Sequence, residues 1–169
     1  MAAFEDTLDA AHSGSAGRVP RLVLDTNVVL DWLHFGDPSC ERLGRGIECR
    51  EVRWIATISM RQELQHVLLR GIPGRLRIDP IDVLRNWDRW VTTVEPNDRT
   101  PSETKLSVHP TSPSLRCKDA SDQKFIDLAL AANASALLSR DRAVLRLAGR
   151  AAAHGLHIQT AADWRPQSG

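Results

Sequence analysis

Short apolar runs alternate along the chain with segments whose apolar residues recur at helical spacing. The apolar runs cover residues 21–25, 52–56, 136–139 and 156–159, and each one ends at polar residues. A short apolar run that closes on capping residues and leads into an amphipathic segment predicts a buried strand followed by a helix. The chain is therefore expected to contain at least four strands.

The segments between these strands carry apolar stripes with a helical period. They predict helices over residues 28–35, 38–47, 59–69, 80–94, 118–133 and 141–155, with a final helical turn over 160–164. Ser59 and Asp79 have the side chains expected of N-caps, and Pro80 suits a first helical position. Strands that alternate with helices indicate a mostly parallel sheet of four to five strands between two helical layers, a three-layer α/β/α sandwich.

One domain is predicted over residues 21–164. Residues 1–20 include a Ser- and Gly-rich stretch that is typical of a flexible tail, and residues 165–169 form a short C-terminal tail. The Pro-, Ser- and Thr-rich segment over 96–115 is long for a connection within a domain, and such loops commonly carry function.

Composition excludes several classes of protein. Of 169 residues, 42% are hydrophobic and 25% charged, as in ordinary soluble domains. No apolar run reaches membrane-spanning length, and three scattered cysteines predict reduced thiols in the cytoplasm rather than a disulfide framework. A net charge of +1 argues against binding nucleic acid by bulk electrostatics, so such contacts would depend on local basic groups.

Acidic residues follow the predicted strands. Asp25 and Asp141 come directly after two of them, so they lie at the same edge of a parallel sheet. Glu63 lies one turn into the helix that follows the second strand and shares a face with Ser59. Asp119 and Asp122 open a further helix, whose position at that edge the pattern alone does not establish, because no preceding strand is evident.

Two interpretations of these acids compete. Taken singly, each acid is more simply a helix cap or a solvated side chain. Taken together, carboxylates at one edge repel one another unless cations neutralise them. Oxygen ligands in an open cluster suit Mg²⁺ or Mn²⁺, which would activate a water against a phosphodiester.

Four short motifs occur in an order that resembles a known family. They are Leu24-Asp-Thr-Asn27, Ser59-Met-Arg-Gln-Glu-Leu64, Asp119-Ala-Ser-Asp-Gln-Lys-Phe125 and Ser139-Arg-Asp141. Together they resemble the PIN domain, a small metal-dependent ribonuclease fold found in toxins of bacterial toxin–antitoxin pairs. One departure is that Ala120, Ser121 and Gln123 stand where related sequences often have a denser acidic run.

The resemblance assigns roles to these residues. It implies four carboxylates as both catalytic groups and metal ligands: Asp25, Glu63, Asp122 and Asp141. Asp119 would be an auxiliary acid, and three polar residues would support the site: Asn27, Ser59 and Ser139. The implied cofactor is Mg²⁺ or Mn²⁺. The implied partners are an RNA substrate and a cognate antitoxin, and a homodimer is compatible with the resemblance.

Basic residues close in sequence to the acids are candidates for RNA contacts. They are Arg61, Arg116, Lys118, Lys124, Arg140 and Arg142. Two alternative functions remain open: a non-catalytic PIN-like binding or scaffold domain, and an RNA-processing nuclease outside any toxin–antitoxin pair. A phosphoryl-receiver domain is disfavoured, because no Lys follows the late strands.

Overall fold

A computed structural model describes residues 19–71, 79–95 and 115–166 of the chain. In that part of the chain the strands are β1 (Arg21–Leu24), β2 (Arg53–Ala56), β3 (Thr92–Thr93), β4 (Ala136–Leu138) and β5 (His157–Gln159). They form one parallel sheet with the order β3-β2-β1-β4-β5. The predicted parallel α/β sheet is therefore confirmed.

The helices connect successive strands. They are α1 (Thr26–Leu30), α2 (Glu41–Glu48), α3 (Ile58–Arg70), α4 (Pro80–Trp90), α5 (Gln123–Ala131), α6 (Arg142–Leu145) and α7 (Ala148–Ala152). A π-helical turn, Asp31–Phe35, extends α1 and ends at Gly36, whose φ of 60° suits glycine. None of the described helices is long and apolar enough to cross a bilayer.

Both faces of the sheet are covered. Leu22, Val23 and Leu24 of β1 are all buried, although successive strand side chains point to opposite faces. The same holds for β4, Ala136–Leu138, so the centre of the sheet lies between two layers of helices.

The strand order creates a crevice between β1 and β4. The chain runs outward from β1 to β2 and β3, then returns to the other side of β1 for β4 and β5. At such a reversal the helices leave opposite faces of the sheet, and ligands of open α/β folds bind beyond the carboxyl ends of those strands. Asp25 follows β1, and Ser139 and Asp141 follow β4, so all three lie beside this crevice.

The helix boundaries differ from the predicted ones in several places. Thr57, not Ser59, is the N-cap of α3, because the chain is still extended at Thr57 directly after β2. Ser59 instead shares a hydroxyl hydrogen bond of 2.9 Å with Thr57. Asp79 caps α4 through the Ile81 N–H, and Pro80 is its first residue, as predicted.

Three predicted helices are shorter or divided. The helix predicted over 80–94 ends at Trp90, and residues 92–93 of that range form β3 instead. Residues 118–122 form turns instead of helix, because the Asp119 carboxylate accepts the Ser121 N–H at 2.9 Å and holds an Asx turn. The predicted helix over 141–155 is divided into α6 and α7, and residues 160–164 form turns. Residues 96–114 of the predicted loop and most of both tails lie outside the described residues, and the domain limits remain predictions.

Packing of α3 provides a test of this fold. Leu64 is fully buried, whereas Leu69 on the same helix is 68% exposed. We expect Leu64→Ala to lower the free energy of unfolding by about 2–5 kcal/mol, and Leu69→Ala to change it by less than about 0.5 kcal/mol. Urea titration of both variants measures the difference. Equal losses would contradict the packing of α3 described here.

Candidate active site at the carboxyl edge of the sheet

Asp25 is a buried carboxylate at the end of β1. Only 4% of the residue is exposed, and its N–H donates to the Leu138 carbonyl of β4 at 3.0 Å. Its Oδ2 accepts from the Ser139 hydroxyl at 2.5 Å and from the Asn27 amide at 2.8 Å. Burial raises the pKa of Asp25, and these hydrogen bonds oppose the rise. The contacts hold one carboxylate oxygen in a fixed position.

Ser139 links this carboxylate to Asp141. Ser139 is fully buried, and its Oγ accepts the Asp141 N–H at 3.0 Å while donating to Asp25. Asp141 in turn caps α6, since its Oδ1 accepts the Ala143 N–H at 2.5 Å. The capping interpretation of Asp141 is therefore correct. The cap uses Oδ1, and no described residue forms a hydrogen bond with Oδ2. The cap therefore does not exclude a second role for this acid.

Asp122 faces the other acids from the start of α5. Burial is the main cause that raises its pKa to about 6, and the negative charges of Asp25, Asp119 and Asp141 add to the rise. Asp122 therefore lies within electrostatic reach of both strand-end acids. Asp119 is exposed, and its hydrogen bonds from Ser121 lower its pKa. The α5 start, which the sequence pattern left unassigned, lies at the same edge as the strand-end acids.

Glu63 is joined to its neighbours by two contacts. The Thr26 hydroxyl donates to Oε1 at 3.1 Å, and Lys124 forms an ion pair with Oε2. About a third of each side chain in the ion pair is exposed. Lys124 was predicted to contact RNA; here it is the counter-ion of an acid of the site.

Two other predicted RNA contacts also have acidic partners. Arg61 makes a bidentate pair with Asp88 of α4, at 2.7 and 2.6 Å. Arg140 pairs with the buried carboxylate of Asp31 at 3.0 Å. By contrast, Arg116, Lys118 and Arg142 are exposed, and no described acid forms an ion pair with them.

Of the supporting polar residues, two contact the acids. Asn27 binds Asp25 and also accepts the Arg140 N–H at 3.1 Å, so it spans the crevice from β1 to the β4 end. Ser139 binds Asp25 directly. Ser59 bonds to Thr57 instead, and its hydroxyl makes no hydrogen bond to an acid among the described residues.

Sequence reasoning did not identify two residues of the site. Thr26 lies within the first motif but has no predicted role, yet its hydroxyl binds Glu63. Gln123 was noted only as a missing acid. Its Oε1 accepts the Cys117 N–H at 2.7 Å, and its Nε2 donates to Asp127 at 2.9 Å and to the Leu115 carbonyl. Gln123 thus fastens the incoming chain to α5, a contact that no local pattern indicates.

The donors fit an open magnesium or manganese site better than an enclosed one. Among the described residues, no three His, Cys, Asp or Glu side chains are close enough to surround a metal ion. Mg²⁺ needs only one or two carboxylates, because waters and substrate oxygens complete its octahedron. All the candidate donors are oxygens, and a cation would stabilise the ionised form of Asp122, which burial and the neighbouring acids disfavour.

The fold and this acidic edge define a class of α/β domain with carboxylates at its topological switch point. The family model of the PIN domain matches residues 21–143, nearly three-quarters of the chain. The chain therefore belongs to the PIN domain family, whose members are generally nucleases. No curated protein matches the chain at a significant level.

The charge of Asp122 leads to a pH-dependent prediction. Its pKa is higher in the folded state than in the unfolded chain, so the folded state binds more protons between about pH 4 and pH 6. Stability should fall as the pH rises through that range. In EDTA, Asp122→Asn should raise the free energy of unfolding at pH 8 by on the order of 1 kcal/mol, after allowance for solvent screening, and should give no gain at pH 3.5.

Asp119→Asn is the matched control for this experiment. The pKa of Asp119 is lowered, so its removal should bring no gain at pH 8. Guanidinium titrations at both pH values measure the two effects. A gain for Asp122→Asn that is the same at both pH values would show that the ionisation of Asp122 is not its cause.

The Ser139–Asp25 hydrogen bond can be tested by stability alone. Ser139→Ala removes the hydroxyl donor to the buried Asp25 carboxylate, so we expect a loss of about 2–3 kcal/mol. Ser135→Ala is the control, because that hydroxyl donates to a neutral backbone carbonyl, Arg21 O, and its loss should cost about 1 kcal/mol. Losses in the opposite order, by urea titration at pH 7, would contradict the assignment.

Proposed function

We propose that the protein is a Mg²⁺- or Mn²⁺-dependent endoribonuclease that hydrolyses RNA phosphodiester bonds. The observation that carries the proposal is the convergence of Asp25, Asp122 and Asp141 at the crevice between β1 and β4, where burial and, to a smaller extent, the charges of the neighbouring acids raise the pKa of Asp122. A cluster of this kind is costly in a folded protein unless a cation or a function offsets it.

Each acid has a distinct part in this proposal. Asp25, Asp122 and Asp141 would hold the metal ion, and Glu63 would contribute a fourth carboxylate from α3. When bound, the ion supplies a water of lowered pKa and stabilises the leaving oxygen. Ser139 and Asn27 keep Asp25 oriented through their hydrogen bonds, as the outer partners of metal ligands commonly do.

Lys124 has a role in the same proposal. Its ammonium group neutralises Glu63 and lies 5.1 Å from the centre of the Phe125 ring. For Glu63 to bind a metal ion, its Oε2 has to exchange this partner, whereas Oε1 can keep its hydrogen bond from Thr26. The pair would therefore hold Glu63 close to the site until a cation replaces the ammonium group.

The preference for RNA, and the biological setting, rest on the motif resemblance. It supports a ribonuclease that acts in the cytoplasm as the toxin of a toxin–antitoxin pair. The antitoxin would cover the acidic edge or the groove beside it, and the protein could also form a homodimer. A short reading frame that abuts this gene would support the toxin assignment, and its absence would favour an RNA-processing nuclease.

Cleavage assays test the central proposal. With Mn²⁺ and a single-stranded RNA, we expect cleavage that falls on the order of 100-fold or more in Asp25→Asn and Asp141→Asn, because each loses a charged ligand. Asparagine can still accept the structural hydrogen bonds of either acid, so the fold should persist. DNA of the same sequence tests the preference for RNA. Undiminished cleavage by these variants would overturn the assignment of the site.

Metal binding gives a second readout that does not depend on activity. A ligand that binds only the folded state raises the melting temperature, by an amount that grows with the logarithm of its concentration relative to its dissociation constant. We expect Mn²⁺ to raise the melting temperature of the parent and to raise it less in Glu63→Gln. Glu51→Gln, an exposed acid before β2 at the opposite edge of the sheet, should respond like the parent. If no metal shifts the parent, the alternative of a non-catalytic binding or scaffold domain is favoured.

A further inference from the structure

A groove lined by basic residues lies next to the acidic edge. Its volume is about 270 Å³, and the segment before α5 forms it together with α6 and α7. Four of its six lining residues are cationic, and the other two are small or aliphatic: Arg116, Lys118, Arg146 and Arg150 with Ala143 and Leu147. This is a local concentration of positive charge in a chain whose net charge is only +1.

These four cations differ from the other basic residues near the site. Arg61, Lys124 and Arg140 each form an ion pair with a carboxylate. No described acid pairs with any of the four groove residues, and all four are exposed. Like charges gathered on one surface repel, so their arrangement is unfavourable unless an anion binds there.

The groove is continuous with the acidic edge at one end. Ala143, which lines it, donates its N–H to the Asp141 carboxylate, and Lys118 directly precedes Asp119. Between Arg116 and Lys118, the Cys117 thiol has its pKa raised by burial and further by the charges of Asp122 and Asp141. A polyanion in the groove would therefore extend directly to the carboxylates.

The backbone that presents Arg116 and Lys118 is held in place. Leu115 is fully buried, and the Gln123 side chain on α5 bonds to the Leu115 carbonyl and the Cys117 N–H. Arg146 and Arg150 come from the other wall, one at the end of α6 and one on α7. The two walls thus offer charge from fixed elements, which reduces the entropy lost on binding.

We propose that this groove binds the phosphate backbone of the RNA strand that leads away from the cleaved bond. The inference rests on the proposed function. Three of the four cations are arginines, whose planar guanidinium groups match phosphate oxygens. No aromatic residue lines the groove in the described structure, so base stacking does not contribute there. The groove would position the strand without reading its sequence.

Binding of a labelled 12-nucleotide RNA tests the groove separately from catalysis. The measurement uses Asp25→Asn protein in Mg²⁺, so that the strand stays intact, and compares it with the same protein carrying Arg146→Gln and Arg150→Gln. Two phosphate contacts fewer should weaken binding by about tenfold or more at low salt. They should also reduce the slope of log affinity against log salt by about 1.4, since each contact with a single strand contributes about 0.7.

Two matched variants separate charge from other effects. Arg53→Gln with Arg70→Gln removes two exposed arginines from the first residue of β2 and the last residue of α3, away from the acidic edge, and should leave the affinity and slope unchanged. Arg146→Lys with Arg150→Lys keeps both charges and should restore most of the slope. Melting temperatures confirm that each variant is folded.

The outcomes distinguish this proposal from the one on which it rests. If the Arg146 and Arg150 variant binds RNA with unchanged affinity and slope, the groove assignment fails, whether or not the parent cleaves RNA. If the parent does not cleave RNA, the proposed function fails, and the binding data still decide what the groove contacts. Tighter binding of a poly-glutamate peptide than of RNA, lost in the same variant, would overturn the RNA assignment in favour of an acidic protein segment.

Discussion

The hydrogen bond between the Ser139 hydroxyl and the Asp25 carboxylate is the interaction on which the candidate site depends. It joins the ends of β1 and β4, the two strands on either side of the point where the chain reverses direction across the sheet. An ionised carboxylate that is 4% exposed is costly to bury without donors. Ser139 supplies one donor and also fixes the Asp141 backbone, so the two strand-end acids are positioned together.

The balance of charge around the edge follows from this burial. Asp25 and Asp122 carry negative charge that no described cation neutralises by an ion pair, and both have a raised pKa. By contrast, Glu63 and Asp31 each have a basic partner, Lys124 and Arg140. Within the part of the chain that the structure describes, Asp25 and Asp122 are thus left without an ion-pair partner. That distribution suits the binding of a small cation at the crevice better than a purely structural network, in which each buried charge would be paired.

The central strands could be predicted from sequence because both of their faces are buried. Leu22–Leu24 and Ala136–Leu138 are continuous apolar runs, which only a strand between two helical layers requires. β3 could not be predicted, since it consists of two exposed threonines, Thr92 and Thr93, that join the sheet edge through backbone hydrogen bonds. Because the strand that precedes α5 could not be recognised in the sequence, the edge of the sheet at which Asp122 lies could not be predicted either. The N-cap of α3 was placed two residues late, because Thr57 and Ser59 have the same capping chemistry.

The sequence predicted that acids meet at one edge of the sheet, but it did not predict which basic residues pair with carboxylates, and the reason is physical. An acid at a strand end is positioned by the topology, which periodicity reveals. A long basic side chain reaches across several residues and binds whichever carboxylate the tertiary structure brings near it, as Arg61 binds Asp88 on another helix. Arg146 and Arg150, farther from the motifs in sequence, have no such partner among the described residues and line the groove. A basic side chain near this site is therefore free to contact phosphate only if it does not already pair with a carboxylate. Only the folded structure shows which basic side chains are paired in this way.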